Sequence, residues 1–271
     1  MTLEILICTY NDRINQVQNV LMQPAHNISY LVSWQQSEGY EAPELPAEIA
    51  SRDDVKVIVV NGSGLCNNRN NAIANATGDV CLIADDDITY IPHHVAHVVE
   101  YFELHPTLDV ATFKYESRNY PKDYPSYSFD LRQPVKGYHV SSIEIAFRRQ
   151  SVQGKVWFNP LFGANAPVLN SCEEAVFALD ALEKGLSWFF FPYAIARHEH
   201  ATTSDRLAGV PATLMSNGAY IYLAYKDGTA PLRYVLLAWR ACRNPLKFFT
   251  ALRHVLQGVE YIKKNYIPAL Q

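Results

Sequence analysis

The 271-residue chain has no uninterrupted apolar run approaching the ~20 residues that a membrane-spanning helix needs. Its five cysteines, Cys8, Cys66, Cys81, Cys172 and Cys242, are scattered, odd in number and without a Cys-x-x-Cys pair. That pattern argues for reduced thiols and against a disulfide framework or a zinc site. No basic-then-apolar targeting segment precedes the first strand-like stretch, which starts directly after Met1. Internal repeats and low-complexity tracts are also lacking. The expectation is a cytoplasmic protein, at most peripheral on the inner face of the cytoplasmic membrane, with no nucleic-acid partner.

What is present indicates a globular protein with a sizeable core: 49% apolar and 18% charged residues. The length suits one large α/β domain with an appendage, or two small domains. The net charge of −4 is unevenly spread. Between Lys226 and Lys264, eight basic residues face only Asp227 and Glu260, a surplus of six that leaves ten net negative charges elsewhere. An acidic body with a basic tail fits an anionic membrane surface.

Apolar runs predict strands near residues 3–9, 28–34, 55–61, 79–85, 108–115 and 143–148. Helical spacing appears near 12–22, 65–76, 93–104 and 173–184. Alternation of the two over the first hundred residues argues for a mainly parallel sheet covered on both faces. The most informative stretch runs from Gly64 to Asp87: a turn, a helix carrying Arg69, a second turn at Thr77-Gly78, and a buried strand Val80–Ala84 that ends in Asp85, Asp86 and Asp87. Two other strands run into polar turns, at Thr9-Tyr10-Asn11-Asp12-Arg13 and at Asn61-Gly62-Ser63-Gly64. In open α/β sheets such strand ends share the ligand-binding edge. Three adjacent carboxylates repel one another unless cations or donors compensate them, and a hard divalent ion shared with substrate phosphates is one solution. The chemistry suggested is metal-bridged diphosphate binding.

Together these segments resemble the family 2 inverting glycosyltransferases of the GT-A, nucleotide-diphospho-sugar transferase fold. Ile7 to Asn11 match the family's opening strand and Thr-Tyr-Asn; Arg69, Asn70, Gly78 and Asp79 match its Arg-Asn helix and Gly-Asp strand; Asp85, Asp87 and Pro92 match its Asp-x-Asp motif. The resemblance covers roughly residues 1–205, the expected GT-A domain, with 206–271 as a helical C-terminal appendage. It implies a Rossmann-like, mainly parallel mixed sheet flanked by helices. It further implies donor contacts from Thr9, Tyr10, Asn11, Arg13, Asn61, Arg69, Asn70, Asp85 and Asp86, with Asn61 standing where the family usually has an Asp for uracil. Mn2+ or Mg2+ would be held by Asp87 and Asp85, completed by His198 or, alternatively, His200 before Thr202, Thr203 and Ser204. Glu174, beside Glu173, takes the place of the general base, and Ser171-Cys172 replaces the family's glycine. A bacterial surface-polysaccharide enzyme (O-antigen, capsule or lipopolysaccharide) is implied, using a nucleotide sugar, UDP-linked by expectation, and a glycan or lipid-linked glycan acceptor.

Two regions remain open to two readings. Tyr115, Tyr120, Tyr124, Tyr127, Phe129 and Tyr138 could stack on acceptor sugars or pack a long loop onto the core. Arg233, Arg240 and Arg243 fall on one helical arc, and after Asn244-Pro245 the residues Phe248, Phe249, Leu252, Val255, Leu256, Val259 and Ile262 form an apolar stripe. That stripe suits core packing, a membrane surface or a homo-oligomer contact. A sugar nucleotidyltransferase would need a Gly-rich, Arg-bearing loop after the first strand, where Thr9-Tyr10-Asn11 stands. A non-catalytic scaffold would have no use for Glu174.

Overall fold

The structure is a computed structural model describing residues 1–133, 135–200, 210–242 and 247–266. Arg243, Asn244, Pro245, Thr202, Thr203 and Ser204, all invoked above, lie outside the described residues. The strands are β1 (Leu3–Tyr10), β2 (Ile28–Gln36), β3 (Val55–Asn61), β4 (Val80–Asp85), β5 (Thr89–Tyr90), β6 (Val110–Glu116), β7 (Phe129–Asp130), β8 (Ile145–Arg148) and β9 (Trp188–Arg197). They form one sheet in the order β3-β2-β1-β4-β8-β6-β9-β5, with β7 beside β9. The pairs β3-β2, β2-β1, β1-β4 and β6-β9 are parallel, whereas β8 runs antiparallel to both β4 and β6. The sheet is therefore mixed, with its parallel half at the β3 side.

Burial follows position in the sheet. Strands β1 and β4 are buried almost throughout, as expected of parallel strands covered on both faces. Strand β3, at the edge, alternates partly buried and exposed residues and leaves Val59 out in solvent. The core of this region joins Leu3, Ile5 and Ile7 to Val32, Leu82, Val95, Phe102, Phe113 and Ile195. Gly78 opens β4 because nothing larger fits: a Cβ there would lie 2.6 Å from the Cβ of Glu4. The Glu4 carboxylate in turn accepts the Gly78 backbone N–H at 3.0 Å.

The helices are α1 (Ala47–Ala50), α2 (Leu65–Asn75), α3 (Pro92–Leu104), α4 (Arg149–Val152), α5 (Glu173–Glu183), α6 (Pro211–Ala224), α7 (Ala230–Ala241) and α8 (Phe248–Asn265). The helix expected near 12–22 is instead a 3-10 helix, Asn11–Asn19. Asn15 and Gln18 donate side-chain N–H groups to the carbonyls of Asp12 and Asn15, so the side chains compete for regular helical bonds. Strand β9, which falls outside the stretches expected to be strands, runs through Pro192 because that residue sits where the β6 pairing shifts register.

The chain forms two compact units: Met1–Ser63, Asn67–Phe158 and Asp180–His200 in one, Gly64–Cys66, Asn159–Leu179 and Ala201–Gln271 in the other. In the second unit α6 and α8 cross at two glycines. A Cβ on Gly218 would stand 2.2 Å from the Val255 carbonyl oxygen, and one on Gly258 1.9 Å from that of Met215. Around that crossing Val255 and Val259 pack with Leu214, Tyr234 and Ala251, and Ile262 packs with Phe162 and Val176. Most of the apolar stripe on α8 is thus core, while Phe249 and Leu256 remain exposed.

Candidate active site

The three aspartates leave β4 at the edge that parallel β1 also ends on, where Cys8 stands in register with Asp85. Two residues later β5 turns back and pairs antiparallel with the end of β9, matching Thr89 to Arg197. That return brings His198, the residue after β9, to the aspartates. Each carboxylate is compensated separately. Asp85 receives Arg69 Nη2 at 3.1 Å and the Ser142 hydroxyl at 3.4 Å, and the same Nη2 also donates to Ser142 at 2.7 Å. Asp86 accepts the Thr9 hydroxyl at 2.6 Å and Arg13 Nε at 3.0 Å, with a further short contact from Arg13 Nη2. Asp87 faces Arg13 Nη2 at 3.2 Å and His198 Nε2 at 3.4 Å.

These neighbours set the protonation. Burial alone would raise the Asp87 carboxyl, but the His198 hydrogen bond and the charges of His198 and Arg13 outweigh it and bring the pKa to about 2. For Asp86 the balance goes the other way: burial raises its pKa despite Arg13 and Thr9. Asp87 is therefore held ionised and keeps some solvent access, whereas Asp86 is only 2% exposed.

Several residues expected to touch the donor also bond within the protein. Arg69, expected to face phosphate, is 2% exposed, with its guanidinium 5.2 Å above the Phe158 ring. Asn70 donates to the Phe158 carbonyl and accepts its N–H, both at 2.8 Å. Asn11, at φ 48°, uses its amide to fix Ser37. The Thr9 hydroxyl donates to Asp86, which is buried. Tyr10 is half-buried, Asn61 is exposed at the end of β3, and Arg13 leaves 47% of its side chain exposed. Sequence reasoning missed Asn68, whose amide donates to the Thr9 carbonyl at 2.9 Å, and Ser142.

Among the described residues no group of three or more His, Cys, Asp or Glu side chains stands ready to hold a metal. The donor chemistry nonetheless fits Mn2+ or Mg2+ at one pair: a carboxylate oxygen and an imidazole nitrogen approach at Asp87 and His198, and diphosphate oxygens can fill remaining positions. Asp85 is turned toward Arg69 and Ser142. His200 is exposed, with its ring centroid 6.0 Å from that of His198.

In the second unit Glu173 and Glu174 open α5, Glu173 buried and Glu174 half-buried. Gly163, at φ 93°, passes so close that a Cβ would come 3.1 Å from the Glu173 carboxyl carbon. Cys172, in the Ser171-Cys172 pair before α5, holds φ 73°, a left-handed conformation that strains a side-chain-bearing residue.

The aromatic loop packs mainly inward. Tyr124 stacks on Phe190 with planes 4° apart, and Phe129 and Tyr138 meet the same ring. Lys122 reaches the fully buried Glu144 at 2.5 Å, and Tyr124 donates to that carboxylate at 2.6 Å. Tyr120 and Tyr127 are exposed, Tyr124, Phe129 and Tyr138 are half-buried, and Tyr115 is buried.

The mixed sheet with carboxylates at the end of β4 has the architecture of a glycosyltransferase of the GT-A fold. The chain belongs to glycosyl transferase family 2, whose model matches residues 5–160. Among solved structures it is similar to S. aureus TarS 1–349, with a TM-score of 0.60 at 12% identity over 100% of this chain and 94% of that one. The complex of TarS 1–349 with UDP-GlcNAc gives 0.61 at 12% identity over the same shares. The mannosyltransferase PcManGT from Pyrobaculum calidifontis, in complex with GDP-Man and Mn2+, gives 0.55 at 14% identity over 98% and 76%. At these identities the likeness is one of fold. No curated protein matches the sequence.

Proposed function

We propose that this family 2 enzyme moves a sugar from a nucleotide diphosphate, UDP for preference, to a hydroxyl of a glycan or lipid-linked glycan in bacterial surface-polysaccharide assembly. Transfer is metal-dependent and inverts the anomeric centre. The observation that supports this most is the ionised Asp87 beside His198 and the half-exposed Arg13, at the strand-end edge where such sheets bind ligands. Mn2+ or Mg2+ held by Asp87, with His198 and Asp85 as further ligands, would neutralise charge on the departing diphosphate. Arg13 adds a permanent cation to the same cluster. Asn61 offers uracil both a donor and an acceptor. Arg69 and Ser142 hold Asp85, and Thr9 holds Asp86, so that the motif is rigid before the donor arrives.

Glu174 takes the proton from the attacking hydroxyl. Being half-buried beside a buried Glu173, it is the more accessible of the pair. A single base acting in a direct displacement gives inversion. Residues 1–205 carry donor chemistry in this reading, and 206–271 serve the acceptor side. Asp87→Ala should abolish metal-dependent nucleotide binding and transfer. Glu174→Gln should bind donor normally yet lose ~10²–10⁴-fold in rate. Full activity of Asp87→Ala, or of the wild type in EDTA, would remove the metal from the mechanism; normal turnover of Glu174→Gln would move the base elsewhere.

A further inference from the structure

Helix α7 carries an apolar face that is exposed among the described residues. Leu232, Val235, Leu236 and Trp239 follow the i, i+3, i+4, i+7 spacing of one helical stripe, and all four are exposed, Leu232 at 63% and Trp239 at 56%. The opposite side of the same helix, Tyr234, Ala238 and Ala241, packs into the core with Leu214 and Val255. On α8, Phe249 and Leu256 lie two turns apart and are also exposed, Phe249 at 82%. Isolated exposed apolar residues are ordinary, but a full stripe of them marks a contact surface.

The charge around this surface chooses the occupant. Arg240, Lys247 and Arg253 are all exposed on or beside the two helices. Of the two acids between Lys226 and Lys264, Asp227 is bonded to Thr229, and Glu260 is paired with Lys264 at 2.7 Å. A symmetric second copy would press this basic rim against itself. A layer of anionic headgroups over hydrocarbon would match both the rim and the stripe, with Trp239 at the boundary. Among the described residues no helix is long and apolar enough to cross a membrane, so contact would be along the surface.

We infer that the exposed face of α7, with Phe249 and Leu256 of α8, docks the protein on an anionic bilayer. The inference rests on this surface alone and not on the transferase reading. It also moves the membrane-facing stripe from α8, where Val255, Val259 and Ile262 are core, to α7.

The test is co-sedimentation of the full chain with vesicles of phosphatidylcholine alone or mixed with phosphatidylserine. Binding is expected only to the mixed vesicles, and added salt should release it. Arg240→Glu with Arg253→Glu should weaken partitioning by at least about 25-fold, about fivefold for each lost basic contact. Leu236→Ser with Trp239→Ser should weaken it as well, with nucleotide binding retained. On mixed vesicles the wild-type tryptophan emission should shift to the blue, and Trp239→Phe should remove that shift without disturbing the fold. Indifference of the wild type to both vesicles overturns the inference. So does binding that charge reversal leaves intact, or a self-associated wild type that Leu236→Ser with Trp239→Ser dissociates while vesicles are ignored.

Discussion

At the scale of single residues, the site is a problem of compensating three adjacent negative charges, and the chain solves it with unlike partners. Asp85 has a buried arginine and a serine, Asp86 a threonine and Nε and Nη2 of Arg13, and Asp87 the same Nη2 and His198. Asp87 has its pKa drawn down, to about 2 from the usual 3.8. An acid with a depressed folded-state pKa stabilises the fold above its unfolded pKa and loses that contribution as pH falls through the folded value. Between pH 4 and pH 2 the wild type should therefore lose on the order of 1–2 kcal/mol more stability than Asp87→Asn. Urea denaturation of both proteins across that window checks it; identical slopes would mean that His198 and Arg13 do not hold the charge. The position of the aspartates was legible because a buried run ends in them. The hydrogen bonds of Arg69, Asn70 and Asn11 were not, because their partners Ser142, Phe158 and Ser37 lie 26 to 88 residues away in sequence.

Among the secondary elements, strands announced themselves wherever burial on both faces forced a continuous apolar run. Strands β5 and β7, of two residues each, are too short to carry any pattern, and β9 was half hidden by Pro192. The 3-10 helix replaced an α-helix because short amide side chains compete locally for backbone carbonyls. In the C-terminal unit the glycines of α6 and α8 were unremarkable in sequence, yet they fix the crossing. Gly258→Ala would drive a methyl group into the Met215 carbonyl, so the two helix backbones must separate. A loss of about 3 kcal/mol, the upper end of overpacking costs, is expected in thermal or chemical denaturation. An unchanged midpoint would show that the helices do not approach so closely. The apolar stripe of α8 had been open between core and surface, and that close crossing decides it for Val255 and Val259.

For the whole molecule, the sequence made the GT-A class legible through motif combinations no single element could carry, and the family match and mixed sheet agree with it. The opposed charges of body and tail were equally visible, but which helix exposes its apolar face depended on packing that sequence alone does not reveal. In the proposed reaction the protein activates a nucleotide sugar at Asp87. The most direct measurement is nucleotide diphosphate release from a panel of UDP- and GDP-sugars, with Mn2+ or EDTA, for the wild type and Asp87→Ala. Even without acceptor, water is expected to take the sugar slowly, giving release from at least one donor that needs Mn2+ and disappears in Asp87→Ala. Release that persists in EDTA and in Asp87→Ala, or no release and no binding for any donor, would contradict the account.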